Sequence, residues 1–566
     1  MSEISRRRVL QGSGAVAAGM AIASCTGSTS SPPPRSPSTP FSTYPSGSGN
    51  PPRKPNIVLI VADDIGYTDL GCFGGEIPTP NLDRLAAGGR TFTHMLTNPM
   101  CCPSRASLLT GLYPTQTGVG YYTRDYGSPG YTGNLGDRCV TVAEVLKGAG
   151  YRTAISGKWH VSTWHTPSAE PPARGFDESF CEIGGNGYFT TERFLNGEDI
   201  GVSPDPDFYM TSAITASARA QITSFAKGPD PFFVYTAYTA PHFPLQAPAE
   251  DIAAFHGSYR QGWDAVREAR FARAGQLGII DPAWRLTPRP DGVIAWEDIK
   301  GRDWQSARME VYAAQVHLLD RGVGKILDTL EQLGILEETV VMFLGDNGAS
   351  AEAIQPTSHH GDAPTRNGRP MRVGNDPSIF PGGSDTFSSY GKPWGSVSAT
   401  PFRRYKLWLE EGGIATPFIA SWPGTLDAGG LDTRTLHLMD VMPTCVDLGE
   451  AAYPSSYRGS PVHPMEGESF MRALTGGPGA DEWNHERQLF WEFAGHRAAR
   501  RGRYKIVSDE VSGAWQLHDM VDDRTETVDL ASRLPGVVDE LSAAWLTWRQ
   551  RVGVVTWDER TGYEAR

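Results

Sequence analysis

NIVLIVADD, residues 56–64, is an apolar run rich in β-branched side chains that stops abruptly at two acids. A short apolar run with polar residues at its end is typical of a strand that is buried on both faces of a parallel sheet. The stretch therefore predicts a central strand whose carboxyl end carries Asp63 and Asp64.

The chain downstream of this strand alternates between strand-like and helix-like patterns. Further strands are predicted within 151–160, 232–242 and 338–348, and a long amphipathic helix over 307–334. A shorter helix is predicted to begin at Pro80 and to end at Gly88. Alternating strands and helices predict an α/β fold, in which helices sandwich a mixed, mostly parallel sheet.

After about residue 480 the pattern changes to hairpin strands, within 487–509 and 512–523, followed by a helix over 537–553. These elements predict a small α+β domain with an antiparallel sheet. The predicted segments are a leader over 1–25, a linker over 26–54, a large domain over 55–480 and a small domain over 481–566.

Residues 1–25 are typical of a targeting segment rather than of a folded element. Arg6, Arg7 and Arg8 precede an Ala/Gly run that is too short and too weakly apolar for a membrane span, and the pattern resembles a twin-arginine export signal. Ile22 to Cys25 resembles a lipobox, so Cys25 is either a lipidated first residue or an accidental cysteine of a plain cleaved signal. We expect an exported protein of the cell envelope or periplasm, with a lipid anchor at Cys25 as its membrane contact. The Ser/Pro/Gly-rich linker is predicted to be disordered.

The composition narrows the range of functions. The formal net charge is −13 and the pI is near 5.5, so nucleic acid is not expected as a partner, because phosphate recognition needs a basic surface. A small anionic substrate stays compatible, since a pocket can be locally positive. The seven cysteines include no CxxC pair, which argues against a zinc ribbon or a thioredoxin-type site.

Two predicted strands end in oxygen-bearing side chains. Asp63 and Asp64 follow the first strand, and Asp346 and Asn347 follow the strand within 338–348. In open α/β sheets, ligands bind beyond the carboxyl ends of the strands, and these oxygens suit Ca²⁺ or Mg²⁺ better than zinc. Each acid could instead cap the turn that follows it, but two such pairs together favour a hard-cation site.

A second candidate site is NPMCCPSRASLLTG, residues 98–111. Pro103 suits the first turn of a helix, so Cys101 is expected just ahead of a helix N-terminus, where backbone N–H groups favour negative charge. A phosphatase loop of the Cys-x5-Arg type does not match, because Ser107 and Leu108 stand where the arginine would be. The alternatives for Cys101 are a buried structural thiol and a disulfide cysteine.

CCPSRASLLTG, residues 101–111, resembles the sulfatase signature. The resemblance runs over nearly the whole folded chain and includes ADDIGYTDLGCFGG, SGKWH, RGFDESF, APHFP, GDNGA, TPFRRYK and EGGIATPFIASWPG. These motifs are similar to those of bacterial arylsulfatases of the alkaline-phosphatase-like superfamily. The resemblance implies the alkaline-phosphatase-like fold for the large domain.

The resemblance also implies a role for each matching residue. Cys101 would be oxidised to formylglycine (3-oxoalanine) by a separate generating enzyme and would then be the nucleophile and a metal ligand. The cation, usually calcium in this family with magnesium as the alternative, would be held by Asp63, Asp64, Asp346 and Asn347. The other catalytic residues would be Arg105, Lys158, His160, His242 and Lys406. Within this set, His242 and Lys406 would contact the leaving oxygen, and His160 would accept a proton as sulfate is expelled.

The expected activity is hydrolysis of an aryl or alkyl sulfate to the alcohol and inorganic sulfate. The expected partners are a small sulfate ester and, transiently, the formylglycine-generating enzyme and the twin-arginine export machinery. Two alternatives use the same scaffold: a phosphonate or phosphodiester hydrolase, and a catalytically silent, lipid-anchored binding protein.

Two further segments carry predictions. Residues 349–401, rich in Gly, Pro and Ser, lie between two motifs and are expected to rim the pocket. HRAARRGRYK, residues 496–505, is basic and is interpreted as a solvated strand of the terminal sheet rather than as a polyanion site.

Overall fold

In the computed structural model the apolar run forms strand β1, Asn56–Ala62, and every residue of this strand is buried. The structure describes residues 54–163, 166–184, 187–358, 365–366, 368–471, 475, 483, 485–509 and 513–555. The predicted leader with Cys25, nearly all of the predicted linker and the predicted boundary at 480/481 lie outside these residues, so they stay predictions.

A mixed sheet of eleven strands forms the centre of the large domain. Its other strands are β2 Arg90–Leu96, β3 Arg152–Lys158, β4 Glu178–Glu182, β5 Arg193–Leu195, β6 Glu198–Gly201, β7 Phe232–Ala237, β8 Thr339–Gly345, β11 Ala415–Ser421, β12 Gly430–Asp432 and β13 Leu436–His437. The order is β12–β2–β11–β8–β1–β7–β3–β4–β5–β6, with β13 paired to β2. The five strands from β8 to β4 are parallel, whereas β11 is antiparallel to both of its neighbours. The predicted mixed, mostly parallel sheet is confirmed.

Helices cover this sheet. They are α1 Pro80–Ala87, α2 Cys101–Thr110, α3 Pro114–Thr117, α4 Val142–Gly148, α5 Met210–Phe225, α6 Ala249–Ala253, α7 Gly262–Gln276, α8 Arg302–Gln332, α9 Gly391–Ser398, α10 Glu411–Ile414 and α11 Val441–Leu448. Two short strand pairs, β9 Arg372–Val373 with β10 Thr386–Phe387 and β14 Ser456–Tyr457 with β15 Ser460–Pro461, lie outside the large sheet. In the described part of the chain, no helix combines the length and the apolarity needed to cross a bilayer.

The local sequence signals explain where these elements begin and end. Helix α1 begins at Pro80, whose missing N–H costs nothing at a helix start, and Gly88 follows its last residue, as predicted. Helix α8 covers the predicted amphipathic stretch and packs against α1 and α5. Strands β3, β7 and β8 lie within the stretches that the apolar runs predicted.

The terminal sheet is the predicted antiparallel unit. Its strands are β16 Gln488–Phe493, β17 His496–Arg501, β18 Tyr504–Ser508 and β19 Gln516–Asp519, paired in that order, and helix α12, Pro535–Val552, packs against it. Two buried tryptophans link the terminal sheet to its surroundings. Trp491 Nε1 donates to the carbonyl of Thr97, just after β2, at 2.9 Å, and Trp545 Nε1 of α12 donates to the carbonyl of Trp491 at 2.9 Å.

The prediction that residues 496–505 form a solvated basic strand is wrong for two of its cations. Arg500 is 5% exposed and Lys505 is fully buried. Lys505 Nζ lies 3.0 Å from Glu411 and 2.9 Å from Glu526. Arg524 is buried in the same group, with its Nε 2.7 Å from Glu411. These four residues, Glu411, Lys505, Arg524 and Glu526, are called the terminal-sheet cluster below. A buried lysine needs such partners, because an unpaired charge away from water is costly.

Candidate active site

The carboxyl ends of β1 and β8 bring the predicted metal ligands together. The two strands are parallel neighbours with Ala62 opposite Gly345, so the residues that follow them share one edge of the sheet. The backbone N–H of Asp64 donates to Asp346 Oδ1 at 3.2 Å, and Asn347 Nδ2 donates to Asp64 Oδ1 at 2.7 Å. Asp63, Asp64, Asp346 and Asn347, called the acid cluster below, are all buried.

Each of the three carboxylates has a cation of its own. Lys158, the last residue of β3, places Nζ 2.6 Å from Asp63 Oδ2. Lys406 Nζ lies 2.9 Å from Asp64 Oδ2. The third cation reaches Asp346, as the Nε of Arg105 donates to Asp346 Oδ2 at 2.9 Å.

Two buried oxygens of the acid cluster have no hydrogen bond within the described residues, Asp63 Oδ1 and Asn347 Oδ1. Asp63 Oδ1 has a longer ionic contact, 3.8 Å from Nη2 of Arg105. Buried polar atoms are nearly always satisfied, so these two oxygens call for a ligand. Hard oxygens from carboxylate and amide groups fit Ca²⁺ or Mg²⁺, which agrees with the sequence prediction.

The electrostatics of the acid cluster also fit a cation. Burial raises the pKa of Asp64, and burial together with the charge of Asp63 raises the pKa of Asp346 well above its usual range. Burial opposes the ionisation of Asp63 as well, but nearby cations, first among them Lys158, bring its pKa down to about 2. A divalent cation among these oxygens would offset the repulsion between the carboxylates.

Cys101 lies at the acid cluster as a free, wholly buried thiol, so the disulfide alternative is wrong. Possible ligand atoms of Cys101, Asp63 and Asp346 lie within 4.8 Å of one another, and the same holds for Cys101, Cys102 and His160. A hydrogen bond from the Cys102 thiol, helped by neighbouring cations, lowers the pKa of Cys101 well below its usual range.

Cys101 is the first residue of helix α2 rather than the residue ahead of it, one position further into the helix than predicted. The first four N–H groups of a helix have no intrahelical partner, so Pro103 is tolerated at the third position as well as at the first. Arg105 follows four residues after Cys101 and therefore lies on the same face of the helix.

Two site residues have left-handed backbone conformations that side chains with a Cβ rarely adopt. The φ angle is 64° at Asp64 and 52° at His160. Such conformations cost on the order of 1–3 kcal/mol each and persist where the surrounding structure enforces them, most often at functional sites. The hydrogen bond from the His160 N–H to the carbonyl of Ile183, at 3.1 Å, helps to hold this backbone in place.

His242 lies beside Lys406 and Asp64. Its Nδ1 is 2.6 Å from the carbonyl of Phe243, which can only accept, so Nδ1 carries the proton. Its Nε2 lies 3.3 Å from Lys406 Nζ and 3.4 Å from Asp64 Oδ2. The structure thus brings together every residue that the sequence predicted for the site.

Comparison with known proteins identifies the family. A family model described as Sulfatase matches residues 55–451. An arylsulfatase from Klebsiella aerogenes is 37% identical over 439 residues, which are 74% of this chain and 91% of the relative. The chain belongs to the sulfatase family. An uncharacterised sulfatase from Schizosaccharomyces pombe is 32% identical over 543 residues, 89% of this chain and 95% of the relative. This sulfatase is therefore a sulfuric ester hydrolase.

Solved structures support the fold of the sulfatase. Ps i-CgsB, in complex with k-i-k-neocarrahexaose, superposes with a TM-score of 0.63 at 24% identity, covering 88% of this chain and 93% of that chain. The PsFucS1 sulfatase from Pseudoalteromonas sp. gives a TM-score of 0.58 at 20% identity, with coverages of 88% and 90%. The alkaline-phosphatase-like fold expected from the sequence is confirmed.

Two residues of the sulfatase site escaped the sequence analysis. The hydroxyl of Tyr235, in the middle of β7, lies 3.4 Å from Nη1 of Arg105. Glu352 Oε2 lies 3.0 Å from Lys406 Nζ. Two features of the sequence could have identified these residues: the hydroxyl of Tyr235 within the apolar run of β7, and an acidic residue, Glu352, five positions after Asn347. Glu352 places one residue of the segment 349–401 beside a site residue, and the prediction that the segment rims the pocket stays a prediction.

Proposed function

We propose that this sulfatase hydrolyses sulfate monoesters of aryl or alkyl alcohols, with Cys101 converted to formylglycine and with Ca²⁺ or Mg²⁺ at the acid cluster. The observation that carries the proposal is the position of the Cys101 sulfur within 4.8 Å of carboxylate oxygens of Asp63 and Asp346. Ca²⁺ and Mg²⁺ prefer oxygen to sulfur, so a thiol among their ligands is mismatched. Oxidation to a side chain that bears oxygen removes the mismatch.

The cations of the site are suited to an anionic substrate. Burial opposes the charge of Lys158 and of Lys406. The carboxylate of Asp63 nevertheless raises the pKa of Lys158, and that of Asp64 raises the pKa of Lys406, above the usual range, so both lysines are ionised. A sulfate monoester is an anion with a poor leaving group, and its negative charge shifts towards the leaving oxygen as the S–O bond breaks. Fixed cations in a buried site stabilise that charge more strongly than water does.

The acid cluster would hold the metal ion, with Asp63 Oδ1 and Asn347 Oδ1 as the oxygens free to bind it. When both groups are in place, the ion supplies Lewis-acid stabilisation of the sulfate and the hydrated aldehyde supplies the attacking hydroxyl. Arg105 donates to Asp346 and, at 3.1 Å, to the carbonyl of Lys158. It therefore links the acid cluster to the end of β3.

Lys406 and His160 divide the proton transfers. Lys406 and His242 serve the leaving oxygen, with the Lys406 ammonium as the donor, since Nε2 of His242 is unprotonated when the ring is neutral. Burial lowers the pKa of His160, which keeps that imidazole neutral and able to accept a proton. Its Nδ1 is buried and has no hydrogen-bond partner within the described residues.

The proposal extends to the location and partners of the protein. The twin-arginine pattern and the lipobox-like Cys25 support export to the cell envelope or periplasm, and conversion of Cys101 requires a formylglycine-generating enzyme. The relatives differ in the alcohol that their names specify, as a steryl-sulfatase and an N-acetylgalactosamine-6-sulfatase both match this chain.

The test is a rate comparison on matched substrates with converted, metal-loaded protein. We expect kcat/KM to be highest for 4-nitrophenyl sulfate and an alkyl sulfate, and lower for the matching phosphate and phosphonate esters. Faster turnover of the phosphonate would favour the phosphonate hydrolase. Binding of a sulfate ester without turnover of any substrate would favour the silent binding protein.

A further inference from the structure

Lys406 has an acidic partner outside the acid cluster. Its Nζ lies 2.9 Å from Asp64 Oδ2 and 3.0 Å from Glu352 Oε2. The side chains of Lys406 and Asp64 are each 1% exposed, whereas that of Glu352 is 31% exposed. Glu352 is therefore a partly exposed partner of Lys406, the lysine that would contact the leaving oxygen.

The backbone around Glu352 is held in place, although it lies in a segment rich in Gly, Pro and Ser. The hydroxyl of Ser389 donates to the carbonyl of Glu352. Asn375 Nδ2 donates to Ser389 Oγ at 3.0 Å, and the Asn375 N–H donates to the carbonyl of Ile354 at 2.9 Å. Ser350 Oγ adds a long contact of 3.4 Å to Glu352 Oε2. The backbone that carries Glu352 is thus held by hydrogen bonds, and its carboxylate is paired with Lys406.

Aromatic rings accompany this carboxylate. Phe243 is half-buried, and its ring centroid lies 5.7 Å from Lys406 Nζ. Tyr122 is half-buried as well, and burial together with the charge of Glu352 raises its pKa. The surroundings of Lys406 towards solvent therefore combine apolar rings with one fixed negative charge.

We propose that Glu352 is a specificity-determining residue that excludes substrates carrying a second negative charge next to the sulfate ester. The inference rests on the proposed sulfatase function. The first anionic group gains the cations of the site, but a second one near the alcohol meets the carboxylate of Glu352, and like charges a few ångströms apart repel strongly where water is partly excluded. Monosulfates of neutral aromatic or apolar alcohols fit beside Phe243 and Tyr122.

The test compares two substrates in two variants. The substrates are 4-nitrophenyl sulfate and the same ester with a carboxylate on the ring. Glu352→Gln keeps the shape of the side chain and removes its charge. The control, Glu331→Gln, removes an equal charge near the end of α8. Glu331 lies roughly 28 Å along this helix, at 1.5 Å per residue, from Tyr312, whose hydroxyl is 3.5 Å from the carbonyl of Asp64. The intrinsic reactivities of the substrates cancel when the ratio of their kcat/KM values is compared between proteins.

We expect Glu352→Gln to shift this ratio towards the charged substrate by roughly tenfold or more, which is the size of a like-charge repulsion at a partly exposed position. The Glu331→Gln control should leave the ratio unchanged. In the wild-type protein, raising the salt from about 0.01 M to 1 M, which shortens the Debye length from about 30 Å to 3 Å, should shift the ratio in the same direction. This second measurement needs no variant and stands even if Glu352→Gln fails to fold.

Three outcomes would overturn the inference. An unchanged ratio in an active Glu352→Gln protein would remove the specificity role. An equal loss of kcat on both substrates would show that Glu352 only positions Lys406. Absence of 4-nitrophenyl sulfate turnover by converted, metal-loaded wild-type protein would instead contradict the proposed function itself, and it is recognised without any variant.

Discussion

The molecule contains two buried clusters of charged side chains that differ in how closely their oxygens are paired with cations. In the terminal-sheet cluster each carboxylate oxygen lies near a donor: Glu411 lies 3.0 Å from Lys505 and 2.7 Å from Arg524, and Glu526 lies 2.9 Å from Lys505 and 2.8 Å from the Glu411 N–H. Glu526 Oε1 and Asp63 Oδ1 both lack a hydrogen bond within the described residues, but Glu526 Oε1 lies 2.9 Å from Lys505 Nζ, whereas Asp63 Oδ1 of the acid cluster lies 3.8 Å from Nη2 of Arg105.

Burial and charge are therefore poor guides to an active site by themselves. Both clusters are buried, both pair lysine and arginine with carboxylates, and both shift the pKa values of carboxylates. The terminal-sheet cluster links β18 to the chain before β11, since Lys505 and Glu411 belong to these two regions. In the acid cluster, ligand atoms of Asp63 and Asp346 lie within 4.8 Å of the Cys101 sulfur, and Asn347 Oδ1 has no hydrogen bond within the described residues. Oxygens gathered around a thiol, rather than buried charge, distinguish the functional cluster.

The largest expected effect concerns the thiol. Cys101→Ala should lower kcat/KM by at least about 10⁴-fold, because loss of a covalent nucleophile removes most of the catalysis. The neighbouring Cys102→Ala is the matched control and should retain most of the activity. Mass spectrometry of the Cys101 peptide, from a host with the modifying enzyme, should show an aldehyde in place of the thiol. An unmodified thiol in fully active protein would contradict the mechanism.

A matched pair of lysine variants separates the two clusters. Lys505→Met should lower the free energy of unfolding by about 3–5 kcal/mol, because Glu411 and Glu526 stay buried without their shared cation. Its activity per folded molecule should be nearly that of the wild type. Lys406→Met should show the opposite pattern, with a large loss of kcat and a smaller loss of stability.

Urea unfolding and steady-state kinetics on both lysine variants provide the measurement. If Lys505→Met abolished catalysis in a protein that is still folded, the terminal-sheet cluster would have to be counted as part of the catalytic machinery, and the contrast between the two clusters would fail.

Metal binding should stabilise the protein only through the acid cluster. Adding Ca²⁺ to ion-free protein should raise the free energy of unfolding by about 2.7 kcal/mol at 100 times its Kd, because the ion binds the native state alone. Asp346→Asn should weaken this response, whereas Lys505→Met should keep it. Thermal unfolding at graded Ca²⁺ concentrations measures the effect, and full activity after exhaustive chelation would contradict a metal site here.

The smallest expected effect is a pH dependence of stability. Burial opposes the ionisation of Glu411, but Lys505 and Arg524 bring its pKa down to about 2. A carboxylate with a lowered native pKa stabilises the fold above its unfolded pKa, and this contribution is lost as the pH falls towards the native value. The stability advantage of wild type over Glu411→Gln should therefore shrink by about 1 kcal/mol between pH 6 and pH 3.5.

Urea midpoints of both proteins at the two pH values measure this change. Glu526, whose pKa burial raises, acts in the opposite direction; the charge of Glu411 adds to this shift, so Glu411→Gln reduces the opposing contribution as well. An advantage that does not change with pH would mean that Glu411 is not held ionised by its partners.

The sheet and the acid cluster were predictable because both follow from local patterns. Apolar runs located β1 and β8, and parallel strands must end at the same edge, so Asp63 and Asp346 had to meet. The partner of a buried lysine follows no such rule. Glu411 lies 94 residues from Lys505 along the chain, and nothing near residue 505 indicates that its charge is neutralised. Glu352 was missed for the same reason, since only the fold brings it to Lys406.

The burial of Cys101 sets an order of events in the life of the chain. Its side chain is fully enclosed at the start of α2, so no second enzyme can reach the sulfur once the domain has closed around it. In the proposed mechanism, oxidation of Cys101 and folding are then competing fates of each newly made molecule. A molecule that folds first keeps an inert thiol permanently, and export of an already folded chain would carry that error with it. Active yield thus becomes a kinetic quantity, which slower folding or more modifying enzyme would increase.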